Sequence, residues 1–538
     1  MAQAFQSSFR TNFHQPIRSE VVARNGMAAT SHPQATLTAI DVLKSGGNAV
    51  DAAVAAAAVL AVVEPHMTGI GGDCFAIVAT PDGQLNGLNG SGRAPQALST
   101  DWLQSQGVMM LEDTSPHAVT VPGSIKAWEQ LLSTHGTLDF AQVLQPAITA
   151  AEEGFAVAPR VATDWAHNVD KLSYHQGSSA LYLKDGAAPV AGDVINQPAL
   201  AATMRQIAAE GSDAFYKGVV AEEIIETLAA LGGVMTTEDL AAIDTLNVSP
   251  VTTDYKGLTI AELPPNGQGV IALLILNMLE EFDLPNLDPL GAERFHLELE
   301  AGRLAYAVRD QFIADPASLP VSTDAVIDKT FAKQLAQNID PTQRGTIASP
   351  LLPPHSDTIY LTVVDKDRTA VSFINSLYAG FGTGIATAHS GVLLQNRGAC
   401  FRVEPGHPNT IEGGKRPLHT IIPAFGLQNG KPILPFGVMG GAYQAVGHAH
   451  LITNLIDYGM GLQGAIGAPR MFWAGPDQVL TAEETIPLST VEALKAKGHA
   501  VEPPSDAIGG SQAILIDHDR GALVGASDPR KDGCALGY

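Results

Sequence analysis

The sequence predicts an α+β fold, or a layered α/β one, in which helices cover sheets. Helical, amphipathic text runs over about residues 123–243 and 266–312, with Pro and Gly between segments. After residue 354, strand text dominates. The 538 residues are 45% hydrophobic and 16% charged, against the usual share of about 25% charged. Abundant Ala and Gly suit a large core whose backbones approach closely.

The first ordered unit starts near Gly26. Ser31 is a candidate cap, with Pro33 early in a helix that runs to about Lys44 and is stopped by Gly46 and Gly47. Asn48 or Asp51 opens the second helix, DAAVAAAAVLAVVEP, which ends before Pro65. Its 12 apolar residues are too few to span a bilayer and read as a buried core helix. GIGGD (69–73) follows as a Gly-rich loop, then a short buried strand. Residues 338–354 read as an exposed loop. TIYLTVVD and TAVSFINSL, joined around Lys366–Asp367–Arg368, read as a β-hairpin. Further strands are expected at GVLLQN, IIPAFGLQ and ILPFGVMG, and a last hairpin at AILIDHDRGALVG.

The formal net charge of −24 argues against nucleic-acid and anionic-membrane partners. Three cysteines, Cys74, Cys400 and Cys534, without a CxxC make no disulfide framework and fit a reducing compartment. The opening MAQAFQSSFRTNFHQPIRSE has no apolar stretch of the signal-peptide kind, so a cytoplasmic location is expected.

The junction LLPPHSDTIYLTVVDKD places Thr358 at the start of a strand directly after the loop. Thr is an ordinary strand residue there. Cutting the Asp357–Thr358 bond would instead give its hydroxyl a free α-amine on the same residue. An unperturbed α-amine pKa of about 8 suits a general base near neutral pH. Thr358 would then carry nucleophile and base together. Hairpin pairing sets Thr358 opposite Asn375 or Ser376, depending on turn length.

At this point the chain resembles the γ-glutamyltransferase family of N-terminal-nucleophile hydrolases. The resemblance lies in GMAATSHPQATLTAIDVLKSGGNAVDAAVAAAAVLAVVEPHMTGIGGDCFAI, the Thr358 block through GVLLQN, GGKRPLHTIIPAF and FGVMGGAYQAVGH, in that order. It implies a four-layered αββα sandwich and self-cleavage before Thr358. The products would be a large subunit, residues 1–357, and a small one, 358–538, forming one globular unit. A homodimer of such heterodimers is one assembly it allows. It also implies amide cleavage through a Thr acyl-enzyme, with the acyl group passed to water or an amine, and no cofactor. Ser376 matches the hydroxyl residue that bonds the nucleophile. Gly440 and Gly441 match the pair whose N–H groups form an oxyanion hole.

The substrate end departs from the glutamyl-transferring pattern. Tyr378 stands in place of Asn. LLQNRGACF, with Asn396, Arg397 and Cys400, replaces LLNNQMDDF. Arg397 thus takes the Gln position and Cys400 that of the Asp gripping an α-ammonium. His419–Thr420 replaces a Ser–Ser pair, and Arg93 in GSGRAP is offset by two from the family's carboxylate-binding Arg. These forms resemble a divergent branch of γ-glutamyltransferase-like and oxamate amidohydrolase proenzymes. Arg397, Arg93 and His419 are expected to shape the acid end of a small acidic amide, beside Asn396, Tyr378 and Thr420. Alternatives are a cephalosporin-acylase-like or glutathione-hydrolysing specificity, and an unprocessed binding protein.

GIGGD lacks the flanking pattern of a phosphate cradle and reads as a loop approaching the active site. His448 and His450, with His407 and His419, lack metal-ligand spacing. Cys74 and Cys400 lack a nucleophile's context. Glu280–Glu281 and Glu298–Glu300 read as solvated helix faces.

Overall fold

The computed structural model describes residues 18–346, 357–474, 478–503 and 506–538. Residues 347–354 of the expected 338–354 loop and the first 17 residues lie outside these.

Two seven-stranded sheets form the centre. The first runs Cys534–Gly537, Met27–Thr30, Asp357–Val364, Ala370–Tyr378, Asp73–Ala79, Leu85–Gly90, Leu246–Val248. The second runs Val21–Ala23, Ala522–Ser527, Gly510–Asp517, Lys431–Met439, Ala424–Gln428, Leu258–Glu262, Val251–Tyr255. Every ladder within them is antiparallel. Strand Asp357–Val364 of the first packs on Lys431–Met439 and Gly510–Asp517 of the second. Helix Ala49–Val63 lies on the Asp357–Val364 and Ala370–Tyr378 strands. Helix Gly269–Leu279 lies on Val251–Tyr255 and Leu258–Glu262. The α+β expectation holds. Both ends of the chain enter each sheet, so the helix-rich and strand-rich portions of the sequence are interleaved in space.

Local chemistry explains the helices that matter here. Asn48 caps Ala49–Val63 through the N–H groups of Val50 and Asp51, and Asp51 returns a bond to the Asn48 N–H, a capping box. All 15 residues of this helix are buried, and their small side chains let it sit close to Pro33–Lys44 and Phe140–Glu153. The Pro33–Lys44 helix is capped by His32, not Ser31: the His32 ring accepts from the Gln34 N–H, while the Ser31 hydroxyl donates to buried Glu64.

One strand reading changes, and other strands arise where none was expected. GVLLQN is buried but irregular: Leu394 bonds Ile385 and Thr383, and Asn396 bonds Leu377, without a continuous ladder. Gly391, at φ +67°, breaks the run. Conversely, strands 246–262 and Cys534–Gly537 come from text with no strong alternation. Glu298 and Glu300 are buried, not solvated. Glu298 meets His450 at 2.9 Å and pairs with Arg294; Glu300 pairs with Arg303 and accepts from the Gly345 N–H. Lys329 and Lys333 pair with Glu280 and Glu281 nearer the surface. Among the described residues no helix is long and apolar enough to cross a membrane.

Candidate active site

Strands Asp357–Val364 and Ala370–Tyr378 pair regularly from Val364↔Ala370 to Ile359↔Asn375, then slip, so that Asp357 faces Tyr378. Thr358 occupies this bulge. Its Oγ1 lies 2.9 Å from Ser376 Oγ, and both residues are fully buried. A bulge redirects a side chain out of the pleat, which is how the hairpin brings two hydroxyls together. Ser376 Oγ also accepts from the Tyr378 N–H at 2.8 Å and lies 3.5 Å from Arg397 Nη2. Either hydroxyl can be the donor in the Thr358–Ser376 bond. Tyr378 takes φ +82°, a conformation a large residue rarely adopts. In the uncut chain the Thr358 nitrogen is still an amide.

Arg397 closes one side. Its Nη1 donates to Thr420 Oγ1 at 2.8 Å, and its guanidinium lies 4.2 Å over the Tyr378 ring. It is fully buried, no carboxylate pairs with it among the described residues, and its Nε has no partner there. The Tyr378 hydroxyl is likewise buried without a partner. Burial pushes the Tyr378 phenol well up, so it stays a protonated donor. The result is a donor-rich recess in which no described carboxylate pairs with Arg397.

His419 sits behind it. Its Nε2 lies 3.0 Å from Asp73 Oδ2, and its ring packs on Phe75. Burial, then the nearby Arg397 charge, pushes it down to about 3, so it is neutral at physiological pH. It props the recess and carries no charge into it. Asp73, read in the sequence only as part of GIGGD, is a hub: its Oδ1 accepts from Gln395 Nε2 (2.9 Å) and from the Gly92 and Gly123 N–H groups (3.2 Å each). The GIGGD loop does approach the nucleophile strand. A Cβ on Gly72 would stand 2.3 Å from the Ser376 carbonyl oxygen, so only glycine fits.

Gly440 and Gly441 follow strand Lys431–Met439 at φ +111° and +54°. Neither N–H is bonded to another described residue, which leaves two adjacent donors available. Gly440 lines a cavity of about 250 Å³ shared with Ala379 and Gly380, the residues directly after Tyr378. Gln268, which sequence reasoning missed, ties this turn to the recess. Its Nε2 donates to both the Thr420 (2.9 Å) and Gly441 (3.1 Å) carbonyls, and Arg309 Nη1 fixes its Oε1 at 3.1 Å. Its place in PPNGQG, a turn before a helix, gives no warning of this.

Thr358, Ser376, Tyr378, Arg397 and Thr420 are thus brought together, with His419, Gly440 and Gly441 around them. Asn396 is adjacent but its amide is spent on backbone, accepting from Ala379 N–H (3.0 Å) and donating to the Asp113 carbonyl (3.2 Å). Arg93 is not brought in. It bonds Asp244 through two nitrogens at 3.1 Å, donates to the Gly414 carbonyl, and lines a separate cavity with Thr236 and Asp239.

The other candidates have ordinary partners. His448 meets Glu262 at 2.6 Å, His450 meets Glu298, and His407 bonds the Asp310 carbonyl. Among the described residues His296, Glu300 and His499 have donor atoms within 4.8 Å of one another. The two rings bond each other at 2.9 Å, and Arg303 holds Glu300, so this group is satisfied without an ion. Cys74 is buried, and burial pushes its thiol well up, which makes it a poor nucleophile.

A buried Thr–Ser hydroxyl pair at a strand start fits an amide-cleaving N-terminal-nucleophile enzyme. The γ-glutamyltranspeptidase family model matches residues 35–538. The chain is 37% identical to the glutathione hydrolase-like YwrD proenzyme of Bacillus subtilis, over 97% of this chain and all of that one. It is 35% identical to the oxamate amidohydrolase proenzyme of Klebsiella pneumoniae, again over 97% of this chain and all of the other. Its structure matches that of a cephalosporin acylase from Bacillus halodurans at 38% identity and a TM-score of 0.91, covering 98% of both chains. The chain belongs to the γ-glutamyltranspeptidase family. It is an amide-cleaving enzyme made as a self-processing precursor.

Proposed function

We propose that this protein hydrolyses, or transfers the acyl group of, a small amide whose acyl half carries a carboxylate. The observation that carries this is Arg397, a fully buried guanidinium that no described carboxylate neutralises. A buried charge without a counter-ion is costly, so the recess suits an anionic ligand. The unpartnered Tyr378 hydroxyl beside it is a further donor for that ligand. The relation to an oxamate amidohydrolase proenzyme supports the same substrate class.

The reading includes the architecture and the cut. The two packed sheets with helices on their outer faces form a four-layered αββα sandwich. Thr358 Oγ attacks the Asp357 carbonyl carbon, the peptide C–N bond gives way to an ester, and water releases a small subunit beginning at Thr358. The new α-amine then takes the Thr358 hydroxyl proton as Oγ attacks the substrate amide. The carbonyl oxygen becomes an oxyanion held by the Gly440 and Gly441 N–H groups. Such preorganised donors supply about 3–4 kcal/mol. The C–N bond breaks, the amine departs with the proton, and water or another amine removes the acyl group. Ser376 steadies the Thr358 oxygen, Arg397 and Thr420 hold the substrate carboxylate, and His419 supports them through Asp73.

The test compares succinamate with butanamide, which lacks the carboxylate, on self-cleaved protein. Ammonia release from succinamate should exceed that from butanamide in kcat/KM. Equal or faster release from butanamide would overturn this substrate class.

A further inference from the structure

Cys400 ends the short turn Arg397–Cys400 that carries the recess guanidinium. Its neighbours in the sequence give the thiol no chemical context, but the fold does. The sulfur lies 3.9 Å from Arg397 Nη1. The buried, unpartnered Tyr378 hydroxyl also stands beside it: after burial, Cys400 is the largest influence on the Tyr378 phenol, and it pushes that phenol up. A second nearby cation, Arg309, is paired with Asp310 at 2.8 Å. Cys400 is partly exposed, and its carbonyl accepts from Asn409 Nδ2 at 2.7 Å, which fixes the turn at the recess. The other cysteines differ. Cys74 is buried, Cys534 lies beside Thr36, and burial pushes both thiols up. Partial access beside an unneutralised cation is the setting in which cysteine oxidation becomes site-selective.

We propose that Cys400 is a modification site at which a peroxide converts the thiol to a sulfenic acid, and that the new anionic oxygen fills the Arg397 recess and shuts it to the substrate carboxylate. This rests on the functional reading above and adds a regulation of the same site. The sulfur attacks one peroxide oxygen. The O–O bond breaks as the S–O bond forms, and the departing hydroxide takes the thiol proton as water. Sulfur is oxidised by one electron pair and the peroxide is reduced by it. A thiol is a weak acceptor. A sulfenate oxygen instead takes a charge-assisted bond from Arg397 and a further bond from Tyr378, so these donors favour the oxidised state. A dithiol reverses the step: its first thiol displaces the sulfenic oxygen as water and forms a mixed disulfide, and its second thiol releases Cys400.

The test treats self-cleaved protein with hydrogen peroxide, follows ammonia release from succinamate and butanamide, and maps the oxidised residue by peptide mass. The added oxygen should appear on Cys400 ahead of Cys74 and Cys534. Succinamate turnover should fall by about tenfold or more in kcat/KM, as loss of a charge-assisted contact requires, while butanamide turnover falls less. Dithiothreitol should restore the parent, and Cys400→Ser should keep its succinamate turnover in peroxide. Oxygen mapped to another cysteine first, succinamate turnover undiminished once Cys400 is oxidised, an equal loss on both amides, or a loss that persists in Cys400→Ser overturns the assignment and leaves the functional reading intact. Succinamate turned over no faster than butanamide before peroxide is added overturns that reading, and this inference with it.

Discussion

Replacing Arg397 with Met separates its binding role from its folding role. The side chain loses four contacts: the 2.8 Å bond to Thr420 Oγ1, the 3.5 Å approach to Ser376 Oγ, the 3.9 Å contact with Cys400 Sγ, and the stack on Tyr378. Against these stands relief of a buried charge that no described carboxylate offsets. Exchange of buried ionic groups for apolar ones of similar volume is often neutral or stabilising by about 1–4 kcal/mol. Arg397→Met should therefore melt no lower than the parent. A substrate carboxylate bonded to a guanidinium contributes about 1.5–3 kcal/mol. Its loss should lower kcat/KM for succinamate by about 10–150-fold. Butanamide, which lacks the carboxylate, should be turned over about equally by both proteins, and Arg397→Lys should fall between, keeping charge but losing the fork. The assay is ammonia release on self-cleaved protein, with thermal denaturation in parallel. Undiminished succinamate turnover, or an equal loss on both amides, would refute the reasoning.

Three further outcomes follow from the same geometry. Ser376→Ala removes the bond to Thr358 Oγ1 and should slow both self-cleavage and turnover by about 5–30-fold, the worth of a hydrogen bond of about 1–2 kcal/mol; unchanged rates on time-resolved gels and in steady state would contradict its role. Gln268→Leu leaves the Thr420 and Gly441 carbonyls unsatisfied at about 1–3 kcal/mol each, so denaturant unfolding should show lower stability and kcat should fall more than KM rises. The third concerns pH. Burial first, then neighbouring charge, lowers His32 to about 4 and both His419 and His499 to about 3. The unfolded chain therefore binds protons that the folded chain refuses. Each contributes a stability loss of up to about 1.4 kcal/mol per pH unit as pH falls from about 6.5 toward its folded value. Raised Glu64 and Glu262 act in the opposite sense at the acid end of that window. Urea midpoints should decline between pH 6.5 and 5, and His419→Gln should flatten that decline.

The nucleophile hairpin was legible because one strand pair with a tight turn constrains its own register: Ser376 was one of two residues expected opposite Thr358. The bulge that brought Ser376 rather than Asn375 to Thr358 left no mark in alternation. The helix start at Asn48 or Asp51 was equally legible, being local chemistry, and the structure joins the two residues in a capping box. Ser31 was not, because a tertiary partner, Glu64, outcompetes the cap. GVLLQN failed as a strand because apolar runs report burial, not hydrogen-bond pattern. Glu298 and Glu300 failed for a related reason: their partners His450 and Arg303 decide their burial, and the helix text shows neither. Within the site, residue types that differ from the glutamyl pattern pointed to Arg397. Gln268 and Asp73 act through contacts up to 346 positions apart in the chain, and nothing local signals them.

The central claim is that Thr358 cuts its own chain and becomes the nucleophile, and intact-mass analysis of the purified protein, with and without Thr358→Ala, tests it most directly. The account predicts two masses for the parent, corresponding to residues 1–357 and 358–538, and a single uncut mass for the variant. A parent that stays whole after long incubation, a cut at another bond, or cleavage that persists in Thr358→Ala would contradict it.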